Sequence, residues 1–111
     1  MRLYHGTTVR NSAKLWAEGT SSRLYVTAYR PLAIMYAIFR SAEEEGVPAV
    51  VVLRTLRPLE PDLEHAPIPS DKAYVLEGLR KAEIVTVQSE PEWLLLLAEY
   101  RKTGIIDEDV L

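Results

Sequence analysis

The chain of 111 residues contains no cysteine. That excludes a disulfide framework, a thiol nucleophile and a thiolate metal site. Histidine is scarce as well: His5 and His65 are too few for a convincing metal centre. No apolar run approaches the roughly 20 residues that a membrane-spanning helix needs. The first residues read as strand formers and not as a charged-then-apolar leader. A soluble cytoplasmic protein without a membrane partner is the expectation. A basic excess is missing too. Thirteen Lys and Arg stand against sixteen Asp and Glu, a formal net charge of -3, so the global charge does not favour nucleic-acid binding. A local patch is still allowed, because Arg23, Arg30 and Arg40 lie close together in the sequence.

What the chain does have is a hydrophobic content of 48% and a charged content of 26%, which indicates one globular domain over residues 1–111. Residues 2–6 read as a first strand. Thr8 can cap a helix whose Val9, Ala13, Trp16 and Ala17 share a face, with Gly19 at its end. Ser21-Ser22 reads as a turn and Arg23 to Thr27 as a second strand. Pro31 opens a second helix with Leu32, Met35, Tyr36 and Phe39 on one face. The run Glu43 to Glu45 opposes the helix dipole, so a solvated, fraying last turn is expected. The β-branched run Ala49 to Leu53 predicts a strand buried on both faces. The stretch 57–70 holds four of the seven prolines and reads as a loop, which puts His65 in solvent. Lys72 to Glu77 and Ile84 to Val87 read as strands, with Gly78 in the turn region between them. Ser89-Glu90-Pro91-Glu92 fits a capping box before a third helix. Its run Leu94 to Leu97 is apolar on nearly every side, so it is core or a homo-oligomer contact. Residues 102–111 read as a flexible tail. The fold class is α+β, a central mixed or antiparallel sheet of about five strands with three helices.

The chemistry-bearing pattern is Leu-Tyr-His-Gly-Thr at 3–7, Leu-Tyr-Val-Thr at 24–27 and a helical Tyr-Ala at 36–37. A histidine and a glycine at a strand end put an imidazole beside backbone that can be approached closely. Two tyrosines from separate elements can wall a flat pocket for a planar heterocycle. Taken singly, His5 reads as a polar residue at a strand end, Tyr36 as core and Tyr25 as an ordinary strand former. Their joint order and spacing resemble the ADP-ribosyltransferases of the His-Tyr-Glu kind, to which the poly(ADP-ribose) polymerase catalytic domain belongs.

The resemblance runs from Leu3 to about Val87 and implies an ADP-ribosyltransferase-like fold and NAD as substrate. His5 then bonds a ribose, and Gly6, with Thr7 beside it, clamps the nicotinamide carboxamide. Tyr25 matches the signature tyrosine and Tyr36 the stacking one, while Ala33 replaces a small hydroxyl residue common in the family. The family's glutamate is missing where it is expected: Ala73 stands there. Glu77 points to the same side but lies about 13 Å further along, and Asp71 about 6.6 Å away. These two are the candidate catalytic acids. The resemblance implies transfer of ADP-ribose to an unidentified protein or nucleic-acid acceptor, with a toxin-like role by analogy. The loss of the glutamate leaves an inactive module binding NAD or ADP-ribose, or a protein-interaction domain, as the alternative. An RNA 2′-phosphotransferase branch would need arginines around a phosphate, for which Arg2, Arg10, Arg23 and Arg30 are available.

Overall fold

Thr8 ends one element and starts the next. In the computed structural model, which describes residues 2–61 and 73–111, β1 (Arg2–Thr8) runs directly into α1 (Val9–Glu18). The Thr8 hydroxyl accepts the Asn11 amide at 3.1 Å, which satisfies one of the helix's unpaired N–H groups. Gly19, at φ 66°, turns the chain into β2 (Thr20–Thr27). Pro31 lies in the first turn of α2 (Arg30–Glu44), and β3 (Pro48–Arg54) follows. Then come β4 (Glu60–Pro61), β5 (Ala73–Leu79), β6 (Ile84–Gln88) and α3 (Pro91–Thr103).

The class is α+β: among the described residues, three α-helices pack against one antiparallel sheet of six strands in the order β4-β5-β2-β1-β3-β6. Strand alternation divides the core by face. Leu3, Val51, Leu53, Leu24 and Leu76 meet Leu15 of α1 on one face. Val50 meets Ala33, Ile34, Ala37 and Ile38 of α2 and Trp93 and Leu97 of α3 on the other. β3 is buried from Pro48 to Leu53, as its unbroken apolar run implies for a strand covered on both sides.

Several local expectations are corrected. The sheet has a sixth strand because Glu60 and Pro61 pair with Val75 and Tyr74, inside the stretch that proline content marks as loop. Pro61 is tolerated there because β4 is an edge strand. α1 buries Ser12 and Leu15, while Trp16 stays 49% exposed. Its spacing-defined apolar face lies to the side of the true contact. Ser21 and Ser22 belong to β2, where an irregularity in the pairing with β5 lies between Thr20 and Arg23. Gly78, at φ 78°, is in β5 opposite that irregularity and not in a turn. Ser89 caps nothing in α3; its hydroxyl donates to the Pro48 carbonyl at 2.8 Å. The end of α2 is held rather than frayed. Gly46 donates to the Ser41 carbonyl, and Glu44 is bonded by Asn11 and Arg40. Beyond α3, a 3₁₀ turn spans Glu108–Val110, and Ile106 and Leu111 pack against the α2–α3 core. Of the leucine run, Leu97 is core whereas Leu95 is 70% exposed. His65 and Asp71 lie outside the described residues.

One polar knot fastens the β5 end of the sheet. Arg57 grips Glu83 with two bonds of 2.9 and 2.6 Å and donates to the Glu77 and Gly78 carbonyls. Only 24% and 12% of the two side chains is exposed. Burial pushes the Glu83 carboxyl up, but the hydrogen bonds from Arg57 and Thr55 outweigh it and hold the group below the usual carboxylate range. The folded protein therefore binds this proton less readily than the unfolded chain. Its contribution is complete above the unfolded pKa and fades as pH falls through the lower folded value. Arg57→Ala should cost about 2–3 kcal/mol in denaturant unfolding at neutral pH, because it strands a largely buried carboxylate. The deficit should shrink as that carboxylate protonates in acid; equal loss at all pH values would contradict the account.

Candidate functional site

β1 and β2 are joined through α1 and not by a hairpin, so the chain leaves at Thr8 and returns only at Thr20. The two strands meet at Tyr4↔Thr27, whereas β1 pairs with β3 along its whole length and β2 pairs with β5 from Thr20 to Thr27. Past that meeting point the sheet opens. The His5 ring occupies the opening, and its Nδ1 lies 2.8 Å from the Tyr25 carbonyl oxygen.

A carbonyl can only accept, so Nδ1 carries a proton. Burial lowers the His5 pKa from its ordinary value near 6.5; the bond to Tyr25 raises it and the nearby Arg40 charge lowers it further. The net direction is down, and the ring is neutral at physiological pH. Its tautomer follows: Nδ1–H donates to Tyr25, and Nε2 is left as an acceptor.

A cleft of about 360 Å³ lies beside the ring, lined by His5, Gly6, Thr7, Arg23, Leu24, Tyr25, Tyr36, Phe39, Arg40 and Glu43. It brings together all five residues that the sequence pattern marks for cofactor binding: His5, Gly6, Thr7, Tyr25 and Tyr36. Tyr36 is half-buried in the cleft wall, while the adjacent Ala37 and Ile38 fill the core. Gly6 is where it is for packing as well as access. A Cβ on it would stand 2.0 Å from the Ala33 carbonyl oxygen and 2.7 Å from the Ala37 nitrogen, so only glycine lets α2 approach β1 this closely.

A second hollow of about 360 Å³ shares His5, Thr7, Leu24 and Arg40 with the first and adds Asn11, Lys14 and Glu18 of α1. The two meet at the opening between the strands. Arg23 and Arg40 therefore belong to the cleft; sequence reading places Arg40 only in a general basic patch, and Arg23 in that patch and among the arginines weighed for a phosphate. Helical spacing could have found Arg40, one turn beyond Tyr36, and strand alternation could have found Arg23, two residues before Tyr25. Arg30 is elsewhere, bonded to Gln88 and Glu90 and stacked 5.5 Å from the Trp93 ring centre. Of the four arginines weighed for a phosphate site, only Arg23 lines the cleft.

Positions 77 and 73 differ sharply. Glu77 faces Arg23 across the β2–β5 pair, with Oε1 2.8 Å from the Arg23 Nε, so one ion pair joins it to the cleft rim. Ala73 is only 4% exposed and lies opposite Thr27, toward the closed end of the β1–β2 boundary. Among the described residues no helix is long and apolar enough to cross a membrane. No known protein family model, no curated protein and no solved structure matches the chain.

Proposed function

We propose that the cleft binds NAD and that the protein is an ADP-ribosyltransferase-like enzyme acting on a protein or nucleic-acid acceptor. The observation that carries this reading is His5, held in one tautomer at the opening of the sheet with Tyr25 and Tyr36 on the flanking elements. A neutral Nε2 can accept a ribose hydroxyl, and a half-buried tyrosine ring can stack on a nicotinamide. In the reaction, the bond from ribose C1′ to the nicotinamide nitrogen breaks and nicotinamide leaves with the electron pair. The acceptor nucleophile bonds to C1′ and gives up its proton. Glu77 is the acid assigned to steady the positive charge that develops on the ribose. Such a role goes with a cytoplasmic setting, where NAD is available. One observation favours the second reading, a non-transferring NAD-binding module: Glu77 is already engaged by Arg23. Nicotinamide release on incubation with NAD separates the two.

Calorimetry with NAD tests the pocket. His5→Ala should weaken binding by about 1 kcal/mol for one hydrogen bond, and Tyr36→Ala by roughly 1–2 kcal/mol for the stacking ring. Melting temperatures without ligand should hold in both variants. Unchanged NAD affinity in both sinks the pocket assignment. Binding to the wild type should be flat above pH 6.5. It should fall in acid, because a second proton on His5 removes the acceptor and the lowered pKa delays that proton to more acidic pH.

A further inference from the structure

The cleft has an aromatic half and a polar half, and one side chain belongs to both. Tyr25, Tyr36 and Phe39 line the first hollow; Asn11 and Lys14 line the second. Arg40 of α2 stands at the junction, beside His5, and lines each. Its Nε is paired with Glu44, four residues on, at 2.5 Å, with 57% and 41% of the two side chains exposed. An exposed pair at this helical spacing contributes little, so it is easily exchanged. Glu44 also has a second partner: the Asn11 side-chain amide donates to both its carboxylate oxygens, at 3.1 and 3.4 Å. Releasing Arg40 would therefore leave Glu44 bonded, not stranded.

We infer that Arg40 is the anion-recognising residue of this cleft, exchanging Glu44 for a ligand phosphate, with Lys14 adding charge in the second hollow. The inference rests on the NAD-binding reading and adds to it the residue that selects phosphorylated over unphosphorylated ligands. A guanidinium fork suits a phosphate because it offers parallel donors to two oxygens, which a carboxylate on the same helix meets with less freedom. Glu18 and Glu44 also line the second hollow, so its net charge is close to balanced and Glu44 is the group a phosphate must displace. The lowering of the His5 pKa by Arg40 agrees with a cation held at this junction.

The test compares NAD with nicotinamide riboside, which keeps the ring and ribose but has no phosphate. The wild type should prefer NAD by about tenfold or more. Arg40→Gln should remove most of that preference by weakening NAD, with riboside affinity staying within about twofold. Arg40→Lys should fall between them, since it keeps the charge and loses the fork. Glu44→Gln should tighten NAD about threefold by removing the competing carboxylate. A full NAD preference in Arg40→Gln, or weaker NAD binding in Glu44→Gln, overturns this inference while leaving NAD binding intact. Failure of the wild type to bind either ligand overturns the underlying NAD reading instead.

Discussion

Gly6→Ala should destabilise the protein so far that little native material remains at physiological temperature. The added methyl would meet the Ala33 carbonyl oxygen at 2.0 Å and the Ala37 nitrogen at 2.7 Å. Both are backbone atoms of α2, so no side chain can swing aside. Relief requires α2 to lift from β1, which opens the contacts of Ala33, Ile34, Ala37 and Ile38 with Val50. Overpacking alone costs about 1–3 kcal/mol, and a displaced helix adds lost burial to it. At roughly 5 °C per kcal/mol for a domain of this size, a fall in melting temperature of about 15 °C or more is expected. Gly104→Ala is the control: nothing stands within 4 Å of its Cβ, and only its φ of 73° opposes the change. A melting temperature for Gly6→Ala no lower than that of the control would show that β1 and α2 are not packed this closely.

That glycine shows how the sequence carries some information openly and hides the rest. As a letter after His5 it suggests backbone accessible to a ligand. Its second duty, the close passage of α2, exists only once residue 33 is folded onto residue 6, and no local pattern contains that. The β3 strand lies at the legible end, because burial on both faces writes an unbroken apolar run into the chain. α1 lies at the other. Val9, Ala13, Trp16 and Ala17 give it the more apolar stripe, yet Leu15 beside a buried Ser12 is what meets the sheet. A short helix is placed by its connections to β1 and β2, and these outweigh the preference of its own surface. The cleft is intermediate. His5, Tyr25 and Tyr36 are readable from order and element type. Helical spacing puts Arg40 on the side of α2 that carries Tyr36, but its place between the two hollows comes from the opening of β1 from β2, a feature of topology.

The acid is decided by a pair of substitutions with opposite expectations. Ala73→Glu places a carboxylate at a site 4% exposed, in a row where the register supplies Thr27 and then Tyr4, neither of which brings positive charge. A carboxylate buried without a partner costs several kcal/mol or takes up a proton. The variant should therefore lose about 3 kcal/mol or more of stability and gain no nicotinamide release. Glu77→Gln should do the reverse. Glu77 is exposed and its ion pair with Arg23 is a surface pair, so stability should change by less than about 1 kcal/mol. Nicotinamide release should fall by ~10²-fold, since a neutral amide cannot steady a positive charge developing on the ribose. Arg23 supplies the internal check. Arg23→Ala frees the Glu77 carboxylate, so turnover should rise if the acid works and be unaffected if it is only half of a surface pair. A folded Ala73→Glu protein with faster release would move the acid to position 73 and remove Glu77 from the chemistry. Full turnover in Glu77→Gln would leave the cleft as a binding site without an acid of its own.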